Sequence, residues 1–498
     1  MSNSKWTGAA ISLALCSTAL VSCSGGNNQS GQGTADQSAG VSVKWDSKAE
    51  QQLRAAIEQA PANGLKPELF LKGGEKGAAL TEAALKYASA LVNGYSDPKA
   101  LHEVYTIPHL KVDVRQGLAQ AIQRGDVKVW LDSLVPQTDE YRALSQAHLH
   151  YLKLAANGQP QPIPDGKPIK PRRRDPRIAL VRAALAANEL IAVPQSVSQE
   201  PPGRPAAHAA PAPRPDRYSP DLVSAVKRVQ AEWGLKPDGV IGGDTLDALN
   251  AGPAYRARQL AIAMERLRWL PRNPPPTRID VNTAASMLDY WRGGEHADRR
   301  EVVEGEPDKP TPQLQGPIVR LVANPTWNVP DGIAAKELVT KSPGWLQENG
   351  YVQKDGKWVQ LSGRKNSLGL VKFDMADNEA IYLHDTPAKA LFGMPERHRS
   401  HGCVRVQNAV QFATALAGEQ GILDQFEEAM SQDDEAFVRL KTPIPVRLLY
   451  ETAFWDGSQV QFRPDVYGWD DNVAKAIGLE PGPPRKIPQP ESSDDIGP

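Results

Sequence analysis

Apolar residues recur at helical spacing from Ser47 to about Gly158. The run opens with Ser47 and Glu50 placed as a capping box ahead of Leu53 and Ile57. A helix is predicted over 80–92, stopped by Asn93-Gly94, and another over 138–155 with Tyr141, Leu144, Tyr151 and Leu152 on one face. His148 and His150, two apart on that helix, point to different faces and read as surface or rim histidines, not a metal pair. The Pro- and Arg-rich stretch QPQPIPDGKPIKPRRRD leads to a further helix over 178–191 and a second linker over 194–215. Its basic cluster, Arg172 to Arg174, reads as solvated linker charge. Helical spacing returns with Val226, Val229, Trp233 and Leu235, followed by an Asp238-Gly239 turn and another helix. A helix carrying Leu260, Met264 and Leu267 then runs to Pro271.

Beyond Pro271 the pattern shortens to strands separated by turn-rich segments, predicted over 278–281, 301–303, 318–322, 370–373, 380–383, 404–406, 446–450 and 459–462. Between Trp327 and about Ser362 lies an insert with Ile333, Leu338, Trp345, Tyr351 and Trp358, read as a cap over a groove or as packed rings. From Pro481 onward the chain is Pro-rich and predicted to be disordered.

Composition adds three points. A length of 498 residues favours about three domains. A net charge of -1 from 57 basic and 58 acidic residues gives no reason to expect a nucleic-acid partner. The N-terminus carries Lys5 and a short apolar run ending in Leu20-Val21-Ser22-Cys23, the pattern of an export signal over 1–22 that resembles a bacterial lipobox, with Cys23 the lipidated residue and 23–45 a flexible tether. Of three cysteines, Cys16 lies in the signal and Cys23 would carry lipid, which leaves Cys403 as the one thiol and no disulfide framework.

Candidate chemistry gathers in IYLHDTPAKALFG, 381–393, and RHRSHGCVRVQNA, 397–409. A cysteine of ordinary pKa needs a base or a positive field beside it to attack as a thiolate, and His384 supplies a base if two strand ends face each other. Gly402 permits a tight turn that aims backbone N–H groups at a carbonyl oxygen. A buried inert cysteine, or a zinc site of Cys403 with His384, His398 and His401, are the competing readings; the latter two histidines crowd Cys403 in sequence and make poor joint ligands.

The run Ser400-His401-Gly402-Cys403-Val404-Arg405 resembles the signature of YkuD-type L,D-transpeptidases. The wider match is to their YcbB-like subgroup, through Asn324-Pro325, Trp327-Asn328-Val329-Pro330, Asn366-Ser367-Leu368-Gly369 and Tyr382-Leu383-His384-Asp385-Thr386-Pro387. Residues 218–252 resemble a peptidoglycan-binding domain, through Gly234-Leu235 and Asp238-Gly239-Val240-Ile241-Gly242. The resemblance implies a multidomain α+β chain: a helical scaffold over 46–200, a three-helix wall-binding module over 218–252, a connecting helix over 253–277, and a β-rich catalytic domain over 278–470 with its capping insert at about 327–362.

It further implies that Cys403 attacks, that His384 takes its proton and that a backbone carbonyl, that of Asp385, orients the imidazole. Tyr382 and Gly402 fall on oxyanion positions, His401 on a supporting one, and Arg405, Trp327 and Ser400 on the substrate side, Arg405 serving either a substrate carboxylate or a structural salt bridge. The implied reaction forms 3→3 cross-links through a thioester with release of D-alanine, without metal or cofactor, and is open to carbapenems. L,D-carboxypeptidase or D-amino-acid exchange, attachment of a protein lysine, and non-catalytic wall binding are the alternatives. Peptidoglycan stem peptides, the membrane through the lipid anchor, and other cell-wall synthases are the implied partners, with a periplasm-facing location favouring the outer membrane.

Overall fold

The computed structural model describes residues 43–191, 216–483 and 497–498. The expected signal, Cys23, the tether up to 42, the whole of the second linker and most of the C-terminal tail lie outside the described residues. Among the described residues no helix is long and apolar enough to cross a membrane.

The first helices, Ser47–Glu58, Gly77–Asn93, Val114–Arg124 and Val127–Ser133, bury Leu53, Ile57, Leu80, Tyr87, Leu91, Leu118 and Leu131 in one core. The capping residue is not Ser47 but Asp46, whose extended backbone lets its carboxylate accept the Ala49 N–H at 2.7 Å. Gly94 has φ 86° with ψ 162°, outside the left-handed helical region, and serves close approach instead. A Cβ there would lie 2.6 Å from the Trp269 indole nitrogen.

Helix Asp139–Ala155 turns Leu154 inward and leaves Leu152 exposed, so its buried face is offset from the predicted one. That offset also buries His148, contrary to its reading as a surface residue. Its Nδ1 lies 2.8 Å from the Ala257 carbonyl, and burial lowers its pKa to about 4.

Helices Ile178–Ala187, Pro220–Glu232 and Gly243–Asn250 share the core of the small module, so its third helix precedes the second linker. Buried Gln230 holds the Asp238-Gly239 turn, accepting the Gly239 N–H at 2.8 Å and donating to the Val240 carbonyl at 3.0 Å. Helix Pro253–Trp269 runs through the middle of the protein and buries Arg256, Glu265, Arg266 and Arg268. Each charge has a partner: Arg256 meets Glu232 at 2.7 Å, Arg266 meets Asp470 at 2.6 Å, and Arg268 meets Glu265 at 2.5 Å. Removing either member of such a pair costs about 3–5 kcal/mol, because it strands a buried charge.

The C-terminal part is built from β1 (Arg278–Asn282), β2 (Met287–Arg292), β3 (Glu295–Gly305), β4 (Leu314–Ala323), β5 (Trp327–Asn328), β6 (Tyr351–Lys354), β7 (Lys357–Gln360), β8 (Val371–Met375), β9 (Leu383–His384), β10 (His398–Ser400), β11 (Val404–Val406), β12 (Ala436–Leu449), β13 (Ala453–Trp455) and β14 (Val460–Phe462). The main sheet runs β10-β3-β11-β9-β8-β4-β12-β1-β2, and β2 pairs again with long β3, so the ladder returns on itself. Most neighbours are antiparallel, but β9–β11, β1–β12 and β10–β3 are parallel. Alternating apolar residues of these strands, with Phe412, Leu416 and Phe426 from helices Ala409–Glu419 and Leu423–Met430, fill the core. The insert forms its own sheet, β5-β7-β6, with two short helices over a cluster of Trp327, Ile333, Leu338, Leu346 and Tyr351.

Candidate active site

The parallel pairing of β9 with β11 sets Leu383 opposite Val404 and His384 opposite Arg405. Side chains alternate along extended chain, so Tyr382, His384, Cys403 and Arg405 share one face. The strand expected over 380–383 is shorter, because Ala380 adopts φ 56° and bends the chain before β9. The Ala380 carbonyl lies 3.9 Å from the Cys403 thiol, and the backbone N–H and hydroxyl of Tyr382 face the same sulfur.

Cys403 is buried, and burial pushes its thiol up to about 11. His384 is fully buried, and burial, reinforced by the Arg405 charge, pushes its imidazole down to about 3. Removal from water penalises either charge, so burial favours a neutral thiol beside a neutral imidazole, in keeping with a base that takes the proton during attack. His384 Nδ1 lies 2.5 Å from the Asp385 carbonyl. A carbonyl only accepts, so Nδ1 carries the proton and Nε2 has an open lone pair. Nε2 is buried without a well-formed hydrogen bond, and the Leu368 backbone also faces the ring.

The Asp385 carboxylate is engaged elsewhere, accepting the Leu370 N–H at 3.0 Å and pairing with Lys389. Gly369, at φ 63°, lets the chain close over it, since a Cβ there would lie 2.4 Å from the carboxylate. Lys372 sits 4.2 Å from the centre of the Tyr382 ring.

At the nucleophile turn Gly402 has φ 117°, a backbone region that disfavours side chains. Its N–H donates to Ser400 Oγ at 3.1 Å, and the same hydroxyl donates to the Cys403 carbonyl at 2.6 Å. The Gly402 carbonyl accepts from Thr311 Oγ1 at 2.8 Å. The Gly402 N–H is thus committed within the turn, while the Tyr382 hydroxyl lies against the Cys403 sulfur and Trp327.

The remaining expected residues divide by side. His401 Nε2 meets Glu337 of the insert at 2.5 Å. Burial works against that carboxylate, but His401, Lys309 and Lys341 hold it below the usual range. His398 turns the other way, to Glu396, to Glu304 at 3.2 Å and to the Thr283 carbonyl at 2.9 Å. Burial raises the Glu304 carboxyl to about 7. The histidines thus take separate partners, and among the described residues no group of three His, Cys, Asp or Glu could hold a metal ion. Trp327 is 1% exposed and roofs the Tyr382 hydroxyl instead of lining an open groove. Ser400 and Arg405 are equally covered. Gly497, also buried, packs against Arg405: a Cβ there would lie 2.7 Å from the guanidinium and 3.6 Å from Ser367. Thr311, Glu337 and Lys372 carry no local signal that singled them out in the sequence.

Residues 276–446 match the YkuD family, described as an L,D-transpeptidase catalytic domain; residues 41–148 match a scaffold domain and 208–249 a peptidoglycan-binding domain. A Haemophilus influenzae protein named as an L,D-transpeptidase is 28% identical over 240 residues, which cover 43% of this chain and 49% of the relative. The chain thus spans about half the length of that relative. Among solved structures, an Enterococcus faecium L,D-transpeptidase aligns at 13% identity and a TM-score of 0.20 over 36% of this chain and 52% of its own. One from Xylanimonas cellulosilytica aligns at 15% identity and a TM-score of 0.20 over 57% and 98%.

Proposed function

We propose, on the premise of the YkuD-type L,D-transpeptidase catalytic domain at residues 276–446, that this chain forms 3→3 peptidoglycan cross-links through a thioester on Cys403. The observation that carries the reading is His384, its Nδ1 fixed on the Asp385 carbonyl and its Nε2 without a well-formed hydrogen bond, one strand from the buried thiol.

Sγ attacks the carbonyl of the third residue of a tetrapeptide stem while its proton passes to His384 Nε2. Because both groups rest neutral, proton transfer accompanies C–S bond formation and no charged pair has to be stored. The negative oxygen is received by the Cys403 N–H and the Tyr382 hydroxyl. Collapse breaks the C–N bond, and the His384 proton leaves with the D-alanine amine. A side-chain amine of a second stem then attacks the thioester, passing its proton through His384 to the departing sulfur. Burial of Cys403, His384 and Arg405 under the insert favours an amine acceptor over bulk water.

The module at 208–249 supports a wall substrate. The N-terminal pattern ending at Cys23 supports a lipid anchor, and Ser24 after it favours the outer membrane over the inner; loss of labelled-lipid incorporation in Cys23→Ala tests the anchor. For the reaction, protein beginning after Cys23 and a Cys403→Ala control are incubated with disaccharide-tetrapeptide and analysed by mass spectrometry. Cross-linked dimers with released D-alanine, absent in the control, support transpeptidation. Tripeptide alone moves the assignment to carboxypeptidase, and no product defeats the catalytic reading.

A further inference from the structure

The turn that carries Cys403 rests on a buried network reaching outside the matched catalytic domain. Thr311, between β3 and β4, is fully buried, and its Oγ1 donates to the Gly402 carbonyl at 2.8 Å while accepting the Gly305 N–H at 2.9 Å. Gly305 has no room for a side chain, since a Cβ there would lie 2.2 Å from the Lys309 carbonyl. The Thr311 N–H donates to the Tyr467 hydroxyl at 3.3 Å, and that hydroxyl donates to the Gly305 carbonyl at 2.9 Å. Tyr467 is held in turn by Tyr450, stacked on it at 5.0 Å between ring centres and accepting its N–H at 3.0 Å. The Tyr450 hydroxyl donates to Asp465 at 2.7 Å.

A trans peptide points its C=O and the following N–H in opposite directions. Pinning the Gly402 carbonyl on Thr311 therefore turns the Cys403 N–H away from Thr311. Ser400 already occupies the Gly402 N–H and the Cys403 carbonyl. The Gly402–Cys403 peptide is the remaining rotor of the turn, and at Gly402 no side chain restrains it.

We propose that Thr311 is a positioning residue for acyl transfer: its hydroxyl locks the Gly402–Cys403 peptide so that the Cys403 N–H meets the developing oxyanion, with Tyr467 bracing Thr311 from the C-terminal extension. It rests on the reading of Cys403 as an acylated nucleophile and extends that reading to a residue that touches no reacting atom.

The test compares wild type, Thr311→Val, which keeps the shape and loses the hydroxyl, and Thr311→Ser, which restores it. Two reagents are read at Cys403 by mass spectrometry. With p-nitrophenyl acetate the acetyl group passes to Sγ and p-nitrophenolate leaves, through a tetrahedral oxyanion; iodoacetamide alkylates Sγ with loss of iodide and forms none. Thr311→Val should acylate about 10–100-fold more slowly, less than the roughly 10²–10³-fold for removing an oxyanion donor outright because the donor is misaimed and not lost, with alkylation within about twofold of wild type and Thr311→Ser within about threefold of it on both. Equal acylation by wild type and Thr311→Val overturns the proposal, as does an equal loss on both reagents, which marks a purely structural residue. Tyr467→Phe, should Thr311→Val not fold, is expected to give a smaller fall of the same selective kind, and a non-selective fall counts against the proposal. Because the ester probe needs no wall peptide, absence of tetrapeptide turnover by wild type would defeat the proposed substrate without obscuring this comparison.

Discussion

The two sides of the nucleophile turn are held in different ways. Its underside is saturated: Ser400, Thr311 and Gly305 engage the backbone through buried hydrogen bonds anchored in β3 and the C-terminal extension. Its outer side meets the insert through His401 and Glu337, partly exposed groups whose attraction depends on charge. The difference teaches that the part of the site that must keep its shape is built from neutral bonds shielded from solvent. The part that must admit a substrate is closed by a contact that water can replace.

The largest expected effect breaks the chemistry common to both sides: His384→Ala should lower acyl transfer by about 10²–10⁴-fold, measured as D-alanine release. Thiolate absorbance of wild type minus Cys403→Ala should then rise only above about pH 9, because burial disfavours the anion. A rise centred below neutrality would instead show a resting thiolate–imidazolium pair. On the underside, Ser400→Ala should cost about 1–3 kcal/mol in denaturant unfolding, since it strands the buried Gly402 N–H and Cys403 carbonyl, and should slow acylation as well. The smallest effect belongs to the outer side. Glu337→Gln should change global stability by less than about 1 kcal/mol while speeding hydrogen exchange in 331–361; protection there equal to wild type would show that the ion pair does not hold the cap.

What could be read from the sequence follows from distance along the chain. That Cys403, His384 and Gly402 gather on adjacent strand ends was legible, because they fall within one short stretch. Thr311 stands 91 positions from the carbonyl it holds, and Glu337 stands 64 from His401. No spacing rule connects them. The helix over 253–269 shows the same limit: the sequence marks a connecting helix, and the burial of Arg256, Arg266 and Arg268 is decided by Glu232, Asp470 and Glu265 together with Tyr141, two of them far away in the chain. His148 was misplaced because a shift of the buried face by part of a turn exchanges Leu152 for Leu154 and carries the histidine inward. The overall α+β architecture was legible, since the change from helical to alternating periodicity falls close to β1.

The small module is joined to the rest of the protein by packed surface and not by a leash. Trp233 stacks on Phe462 of β14 at 5.6 Å, Gly234 leaves space for Arg463, and the Arg463 carbonyl accepts from Gln259 of the central helix at 3.0 Å. A leashed module samples many separations from the thiol; a welded one works as a caliper. If the module grips wall polymer, as the proposed function has it, the polymer is presented at one distance and one angle, and the spacing of its repeat decides which stem reaches Cys403; if it does not, the same packing makes it a fixed spacer.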